Sequence, residues 1–127
     1  MLFGARAAAA QGTEAAAQVA LGDRDYMARN LTSALQHYEA AVAIDSTLVE
    51  ALWKAANSAV DLGEFNDAER ERYYARGEEL ARLAVKANPG SADAHFVLAK
   101  ALGRVALSKG KRDKVKYAGT VHDEVRE

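Results

Sequence analysis

The three histidines of the sequence, His37, His95 and His122, are the side chains best suited to bind a metal ion or to transfer a proton. A helical zinc site brings two histidines onto one face about four residues apart, usually beside a carboxylate. These histidines lie in separate segments, and no such motif surrounds any of them. The chain also has no cysteine, which excludes disulfides and thiolate ligands. We expect packed or capping histidines, and no metal or other cofactor.

Serine nucleophiles and phosphate-binding loops find no support in the pattern either. Ser58 and Ser91 do not stand in the Gly-x-Ser-x-Gly sequence of a nucleophile elbow. The stretch SKGKR, residues 108–112, lacks the paired glycines and the Gly-Lys-Ser/Thr ending of a phosphate-binding loop. The sequence therefore predicts a protein that is not an enzyme.

The side chains left for function are aromatic and charged residues, which alanine-rich helices would have to position. The chain has 127 residues, enough for one domain with a modest core, and it is 50% hydrophobic and 28% charged. Only 7% of its residues are aromatic and it has one proline, a composition that favours closely packed helices over sheets. We expect helices near residues 14–28, 31–44, 47–62, 66–87, 91–109 and 112–126.

Two segments of the chain repeat one pattern: ALQHYEAAVAIDS, residues 34–46, and GEELARLAVKANP, residues 77–89. Each places small or medium residues four and then three positions apart, on one helical stripe, and then ends in a turn. These segments are 77 − 34 = 43 residues apart, whereas RNL at 29–31 and GEF at 63–65 are 63 − 29 = 34 apart. The second copy therefore contains 43 − 34 = 9 inserted residues.

Residues at the edges of the repeated segments mark the helix ends. Pro89 cannot continue the helix before it, and Ser91 is suited to cap the next one. The insertion has no helix breaker before Gly77, so we interpret it as an elongated second helix that starts at Asn66 or Asp67.

A 34-residue helix–turn–helix unit with two small residues in its second helix and a closing proline resembles the tetratricopeptide repeat. EALWKAANSAVDLGEFNDA, residues 50–68, is similar to that family's first helix, with Gly63 at the turn, and HYEAAVAIDS, residues 37–46, to its second. The long helix YYARGEELARLAVKANP, followed by LGRVAL, GKR and KVKYA, resembles more narrowly the tetratricopeptide domain of the regulator of microtubule dynamics proteins and their bacterial relatives. The resemblance implies an all-α fold: a short right-handed α-solenoid of about three units of antiparallel helices. It also implies a non-catalytic interaction domain, which in some members contacts lipids or the cytoskeleton.

In tetratricopeptide arrays the first helix of each unit lines a concave groove, and the resemblance implies which side chains face it. A tryptophan and a phenylalanine there would anchor an apolar side chain, and neighbouring amide and basic groups would hold a carboxylate. The alternative is that Trp53 and Phe96 are core residues packed between units. The same register places Val60 in the groove, and it places Val19 and Asp23 where a carboxylate clamp needs basic and amide groups. The candidate partner-binding residues are Tyr26, Trp53, Asn57, Phe96, Lys100 and Arg104.

Six basic residues and one acid lie between Arg104 and Tyr117, in a chain whose net charge is −1. This basic stretch, residues 104–116, could contact an acidic peptide, anionic lipid or nucleic acid. The alternative, which we favour, is a solvated turn around Gly110. No aromatic ladder accompanies the charges, so we do not expect nucleic acid as a partner.

Residues 1–12, MLFGARAAAAQG, precede the predicted repeat domain of residues 13–127. They are either a flexible tail or the remnant of a signal peptide, although they lack an apolar core of about 7–15 residues. The first interpretation is compatible with the cytoplasm and the second with the periplasm or secretion. No stretch approaches the roughly 18 apolar residues of a transmembrane helix.

Three functions remain open at this point. The first is a protein-interaction module or scaffold that presents a concave helical groove to a peptide or partner domain. The second is a lipid or small-ligand binding solenoid, with an apolar groove between the elongated helix and the third unit. The third is contact with an anionic surface through the basic stretch. The sequence does not identify the partner or the oligomeric state.

Overall fold

The computed structural model describes residues 2–109, with side chains from residue 8 onward. All the elements in this range are helical, which confirms the predicted all-α class. Four connections of three to five residues join them, and the fourth helix is preceded by a 3₁₀ turn at Asp67–Glu69. The helices are α1 (Leu2–Met27), α2 (Leu31–Ile44), α3 (Val49–Glu64), α4 (Arg70–Ala87) and α5 (Ala92–Ser108).

The start of the first helix differs most from the prediction. α1 begins at Leu2, not near residue 14, because alanine has the highest helix propensity and no proline interrupts the segment before that point. The two interpretations of residues 1–12, a tail or a signal-peptide remnant, stay predictions. The domain boundary at residue 13 also stays a prediction. The helix predicted at 112–126 lies outside the described residues.

The junction around the single proline agrees with the sequence interpretation. α4 ends at Ala87, and α5 begins at Ala92 with Ser91 as its N-cap. The Ser91 Oγ accepts a hydrogen bond from the backbone N–H of Ala94 at 3.1 Å, which satisfies one of the free donors at the helix start.

The inserted residues after Phe65 begin with a cap, as predicted. The side chain of Asn66 accepts a hydrogen bond from the Glu69 N–H at 3.3 Å. The capped element is the 3₁₀ turn, however, and the regular helix starts only at Arg70.

The predicted turn position of Gly63 is wrong. α3 continues to Glu64, so Gly63 lies inside the helix and is buried. An ideal Cβ on Gly63 would lie 2.5 Å from the ring of Tyr74 on α4. The glycine is therefore needed for the close approach of α3 and α4 and not for a left-handed turn.

Helix packing follows chain order. Each helix packs on the one before and the one after it, and α3 also contacts α1 and α5. α2 and α4 have no close backbone contact, but a side-chain ion pair joins them. The small residues Ala34, Ala41 and Ala84 are fully buried in the contacts between helices. An ideal Cβ on Gly77 would lie 2.6 Å from Val60 Cγ2. The packing thus joins α1, α3 and α5 into one side of the molecule and leaves α2 and α4 on the other. The predicted right-handed sense of the solenoid stays a prediction.

Val60 is a correction to the predicted groove. Its side chain is fully buried and packs in a core cluster with Tyr74 and Ala101. It therefore belongs to the interior between α3, α4 and α5, because its place on α3 lies beside the α4 contact at Gly77.

Candidate functional site

A polar network centred on Asp61 connects α1, α3 and α5. Its Oδ2 accepts a hydrogen bond from the Tyr26 hydroxyl at 2.8 Å, and its Oδ1 accepts one from Lys100 Nζ at 2.7 Å. The Asn57 side chain completes the network, since its Nδ2 donates to the Tyr26 oxygen at 3.1 Å and its Oδ1 accepts from Lys100 at 2.9 Å. Three predicted groove residues, Tyr26, Asn57 and Lys100, are thus in contact around one carboxylate that lies between them.

A second network lies beside the first and is centred on Asp23. The Tyr38 hydroxyl donates to Asp23 Oδ1 at 2.6 Å, and Lys54 Nζ lies 3.0 Å from both oxygens of that carboxylate. Lys54 also donates to Glu50 Oε1 at 2.7 Å. The Tyr38 hydroxyl and the Lys54 ammonium both bind charged carboxylates, and such hydrogen bonds are stronger than neutral ones.

The networks shift the proton affinities of the groups within them. Burial, and then the hydrogen bond to Asp61, raises the pKa of Tyr26. Burial and the contact with Asp23 raise the pKa of Tyr38 more strongly. Burial by itself would lower the pKa of Lys54, but its bonds to Glu50 and Asp23 outweigh this and raise it. The tyrosines therefore stay neutral and Lys54 stays charged at neutral pH.

A cleft of about 160 Å³ opens between the two networks. Trp53 forms one wall, half-buried and packed in part on the core. Met27 also lines the cleft, and 81% of it is exposed. Lys54 Nζ lies 5.6 Å from the centroid of the Trp53 ring, within range of a cation–π interaction. The cleft is lined by Asp23, Tyr26, Met27, Tyr38, Trp53, Lys54 and Asn57.

A comparison with known protein families identifies the family of this chain. The family model "Regulator of microtubule dynamics protein 1-3" matches residues 13–127. The chain belongs to this family. No curated protein and no solved structure matches it significantly. The narrower of the two resemblances noted in the sequence is thus confirmed.

Phe96 lies apart from the other candidate partner-binding residues. It is 69% exposed, so the alternative that it is a core residue is wrong, and it does not line the cleft. Trp53 is partly a core residue and partly a groove residue, because one part of its side chain packs on the core and another part lines the cleft. The proposal that either side chain anchors a partner stays a prediction.

The predicted cations of the groove are already paired within the chain. Lys100 forms its ion pair with Asp61, and Arg104 Nε lies 2.6 Å from Glu64 Oε1. The contact with Glu64 raises the pKa of Arg104. A partner's carboxylate would compete with Asp61 or Glu64 for these cations, so the predicted carboxylate-holding role has a cost that the sequence did not reveal.

Met27, Tyr38 and Lys54 are cleft residues that sequence reasoning missed. Tyr38 lies on α2, a helix that the groove register excludes, and its hydroxyl reaches Asp23 only because its ring passes over Gly22. Lys54 has a visible sequence signal, since Glu50 stands four residues before it and pairs with it. Met27 has none beyond its place in the last turn of α1.

The described histidines have structural contacts. His37 Nδ1 lies 2.8 Å from Gln18 Oε1, and its Nε2 lies 3.4 Å from Asp25 Oδ2. His95 Nε2 lies 2.6 Å from the carbonyl oxygen of Pro89 and so spans the α4–α5 turn. Among the described residues, no group of three His, Cys, Asp or Glu side chains is arranged to hold a metal. His122 lies outside this range.

No helix of the described part is both long enough and apolar enough to cross a membrane.

Proposed function

We propose that this chain is a non-catalytic protein-interaction domain of tetratricopeptide-like units, which binds a peptide or partner domain along the side formed by α1, α3 and α5. The observation that carries the proposal is the aromatic cleft between the Asp23 and Asp61 networks. The partner of the chain contributes one large apolar side chain that enters this cleft.

The size and lining of the cleft support this choice of occupant. A cavity of about 150 Å³ is enough to hold a benzene ring, and the cleft measures about 160 Å³. Trp53, Tyr26 and Tyr38 supply its aromatic surface, and burying one large apolar side chain there is worth roughly 1.5–3 kcal/mol. A buried aromatic anchor of this kind commonly dominates the affinity of an interface.

The walls of the cleft are fixed before any partner binds. Both tyrosine hydroxyls are held by carboxylates at 2.6–2.8 Å, and Lys54 is held by two acids. Binding therefore orders few side chains, which lowers the entropic cost of association. Because the nearby charges are paired internally, we expect the affinity to depend on apolar contact and only weakly on salt.

Two exposed side chains allow a matched test. Met27 lines the cleft and Phe65 does not, yet 81% and 80% of them are exposed, so neither substitution disturbs the core. The full chain is used to select binders from a random peptide library, and the selected peptides are titrated against wild type, Met27→Lys and Phe65→Lys. We expect peptides with an aromatic or large aliphatic residue, and binding at least about tenfold weaker to Met27→Lys only.

Two results would contradict the proposal. One is equal binding of the selected peptides to Met27→Lys and wild type. The other is binding that disappears between low and moderate salt, because this would assign recognition to the basic stretch instead.

The two other functions find less support. The clefts along α4 and α5, where an apolar ligand groove was predicted, contain the charged residues Glu71, Glu78 and Lys109. In the basic stretch, Arg104 is paired with Glu64, and the residues after Lys109 lie outside the described range. We therefore propose neither function.

A further inference from the structure

A second cleft, of about 340 Å³, lies beside the cleft described above. Asp23 lines both of them, so the two clefts are adjacent along α1. One wall of the second cleft is the stretch of α1 from Gly12 to Asp23. The other wall is formed by Asp45 and Leu48, which lie between α2 and α3, and by Glu50 in the first turn of α3. The second cleft therefore extends the surface on which the proposed partner lies.

The floor of the second cleft is apolar. Val19 is only 6% exposed and belongs to the core, and Leu48 packs against that core. Ala16 and Ala20 are exposed on the α1 wall, and their short side chains leave the space between the walls free. A long side chain can therefore lie across this floor with its methylene groups in apolar contact.

The charged groups that line the second cleft are all acidic: Asp23, Asp45 and Glu50. Lys54 Nζ lies 3.0 Å from Asp23 and 2.7 Å from Glu50, but one ammonium neutralises only one of these two carboxylates. Asp45 accepts hydrogen bonds from the backbone N–H and the hydroxyl of Thr47, and within the described range no cation pairs with it. Three carboxylates thus face one ammonium, which leaves a surplus of negative charge.

A cation from outside the chain can reach these acids. The side chains of Asp23 and Glu50 are 44% and 53% exposed. A carboxylate finds no comparable place, since Lys100 and Arg104 are already paired with acids of α3. The surface around the second cleft therefore attracts a basic side chain and repels an acidic one.

The spacing of the two clefts sets the spacing of their occupants. Tyr26 lines the first cleft and Val19 the second, and the 26 − 19 = 7 residues of helix between them span roughly 10 Å at 1.5 Å per residue. An extended peptide covers this distance in about three residues, at roughly 3.3 Å each. A helical segment covers it in about seven.

We propose that the second cleft binds a lysine or arginine side chain of the partner, roughly 10 Å from the apolar side chain that enters the first cleft. The methylene groups of this side chain lie on Val19 and Leu48, and its charged end lies between Asp45 and Glu50. This inference rests on the proposed function, because it names a second recognition element of the same partner. It also reverses the charge of the group that the groove register implied, from a carboxylate to a cation.

Peptides selected against the full chain give the first test. We expect them to contain a lysine or arginine about three residues from the apolar anchor, or about seven in a helical peptide. Asp45→Asn keeps an acceptor for Thr47 but removes the charge, so it should weaken binding roughly two- to fivefold, as expected for an exposed ion pair. Asp67→Asn is the matched control and should leave the affinity unchanged, because Asp67 lies in the 3₁₀ turn and lines neither cleft.

Replacing the basic residue of the peptide by alanine identifies the contact. The alanine peptide should bind wild type more weakly by the same factor as Asp45→Asn weakens the original peptide. Asp45→Asn should then weaken the alanine peptide no further, because the two groups act on each other.

Charge added at Ala16 gives a second test, which leaves Asp45 in place. Ala16 is exposed and lines the second cleft, whereas Ala43 is exposed on α2 and does not. Ala16→Lys should weaken binding at least about fivefold, because it places a like charge beside the peptide's cation. Ala16→Glu, which adds a side chain of similar size, should weaken it much less, and Ala43→Lys should have no effect.

The outcomes separate this inference from the proposed function. Binding that Met27→Lys weakens, but that Asp45→Asn and Ala16→Lys leave unchanged, would overturn the inference and leave the proposed function intact. Selected peptides whose common charged residue is acidic would also overturn it. Binding that Met27→Lys leaves unchanged would contradict the proposed function, and the inference with it.

Discussion

At the scale of single residues, Tyr38 shows how one side chain combines packing with electrostatics. Its ring occupies the space beside Gly22, and its hydroxyl donates to Asp23 at 2.6 Å. Burial together with this carboxylate raises its pKa, because an ionised tyrosine would be both desolvated and repelled by Asp23. The proton of Tyr38 therefore stabilises the contact between α1 and α2.

This shift predicts how stability depends on alkaline pH. A tyrosine in the unfolded chain has a pKa of about 10, and Tyr38 in the folded chain has a higher one. Its contribution is complete below about pH 10 and is lost as the pH rises further, since only the unfolded chain then releases the proton. Urea unfolding should show a smaller loss between about pH 9 and pH 11 for Tyr38→Phe than for wild type. Equal losses would contradict the role of this hydroxyl.

At the scale of elements, two backbone hydrogen bonds define how α1 ends. The Asn30 N–H donates to the Asp25 carbonyl at 2.9 Å, and the Arg29 N–H donates to the Tyr26 carbonyl at 3.0 Å. These two bonds form a Schellman motif, whose left-handed position favours glycine. Arg29 occupies it with φ = 65°, a conformation that costs a residue with a Cβ roughly 1–2 kcal/mol.

Arg29→Gly should therefore stabilise the protein. The relief of backbone strain is partly offset by the greater freedom of glycine in the unfolded chain, so we expect a gain of roughly 0.5–1 kcal/mol in the free energy of unfolding. Arg29→Ala is the control, since it removes the guanidinium but keeps the Cβ, and it should give no such gain. A gain from alanine equal to that from glycine would indicate that charge, and not φ, is responsible. Urea unfolding measures both variants.

Helix ends were predictable from the sequence where a residue has one physical role there. Pro89 cannot continue a helix and Ser91 has a hydroxyl for capping, so the α4–α5 junction was predicted correctly. Glycine has two roles, left-handed turns and close packing, and the sequence does not separate them. Gly63 was therefore assigned to a turn although it serves the contact with Tyr74. Among the described residues, the left-handed position belongs to Arg29.

At the scale of the whole molecule, Asp61 connects three helices that are far apart in the chain. Its two oxygens bind Tyr26 of α1 and Lys100 of α5, and it lies on α3 itself. The register from the resemblance predicted Tyr26, Asn57 and Lys100 as neighbours on one side of the fold. It did not predict that Asp61 would neutralise Lys100, because the pairing depends on distances between helices and not on spacing within one.

Asp61→Asn should cost more than the loss of an exposed ion pair. The side chains of Asp61 and Lys100 are only 15% and 22% exposed, and removing the charge leaves a partly buried ammonium without its carboxylate. We expect a loss of roughly 1–3 kcal/mol in the free energy of unfolding, measured with urea. Glu79→Gln is the matched control, because its pair with Arg76 is on the surface and should change stability by less than about 0.5 kcal/mol. Similar losses in both variants would refute a special role for Asp61.

The position of Trp53 has a spectroscopic consequence. It is the only tryptophan of the chain, and it forms a wall of the cleft with a lysine ammonium 5.6 Å from its ring centre. Indole emission is sensitive to nearby charge and to water, and a side chain entering the cleft would change both. The intrinsic fluorescence of the unmodified protein therefore reports occupancy of this cleft, so that candidate ligands can be compared without a label.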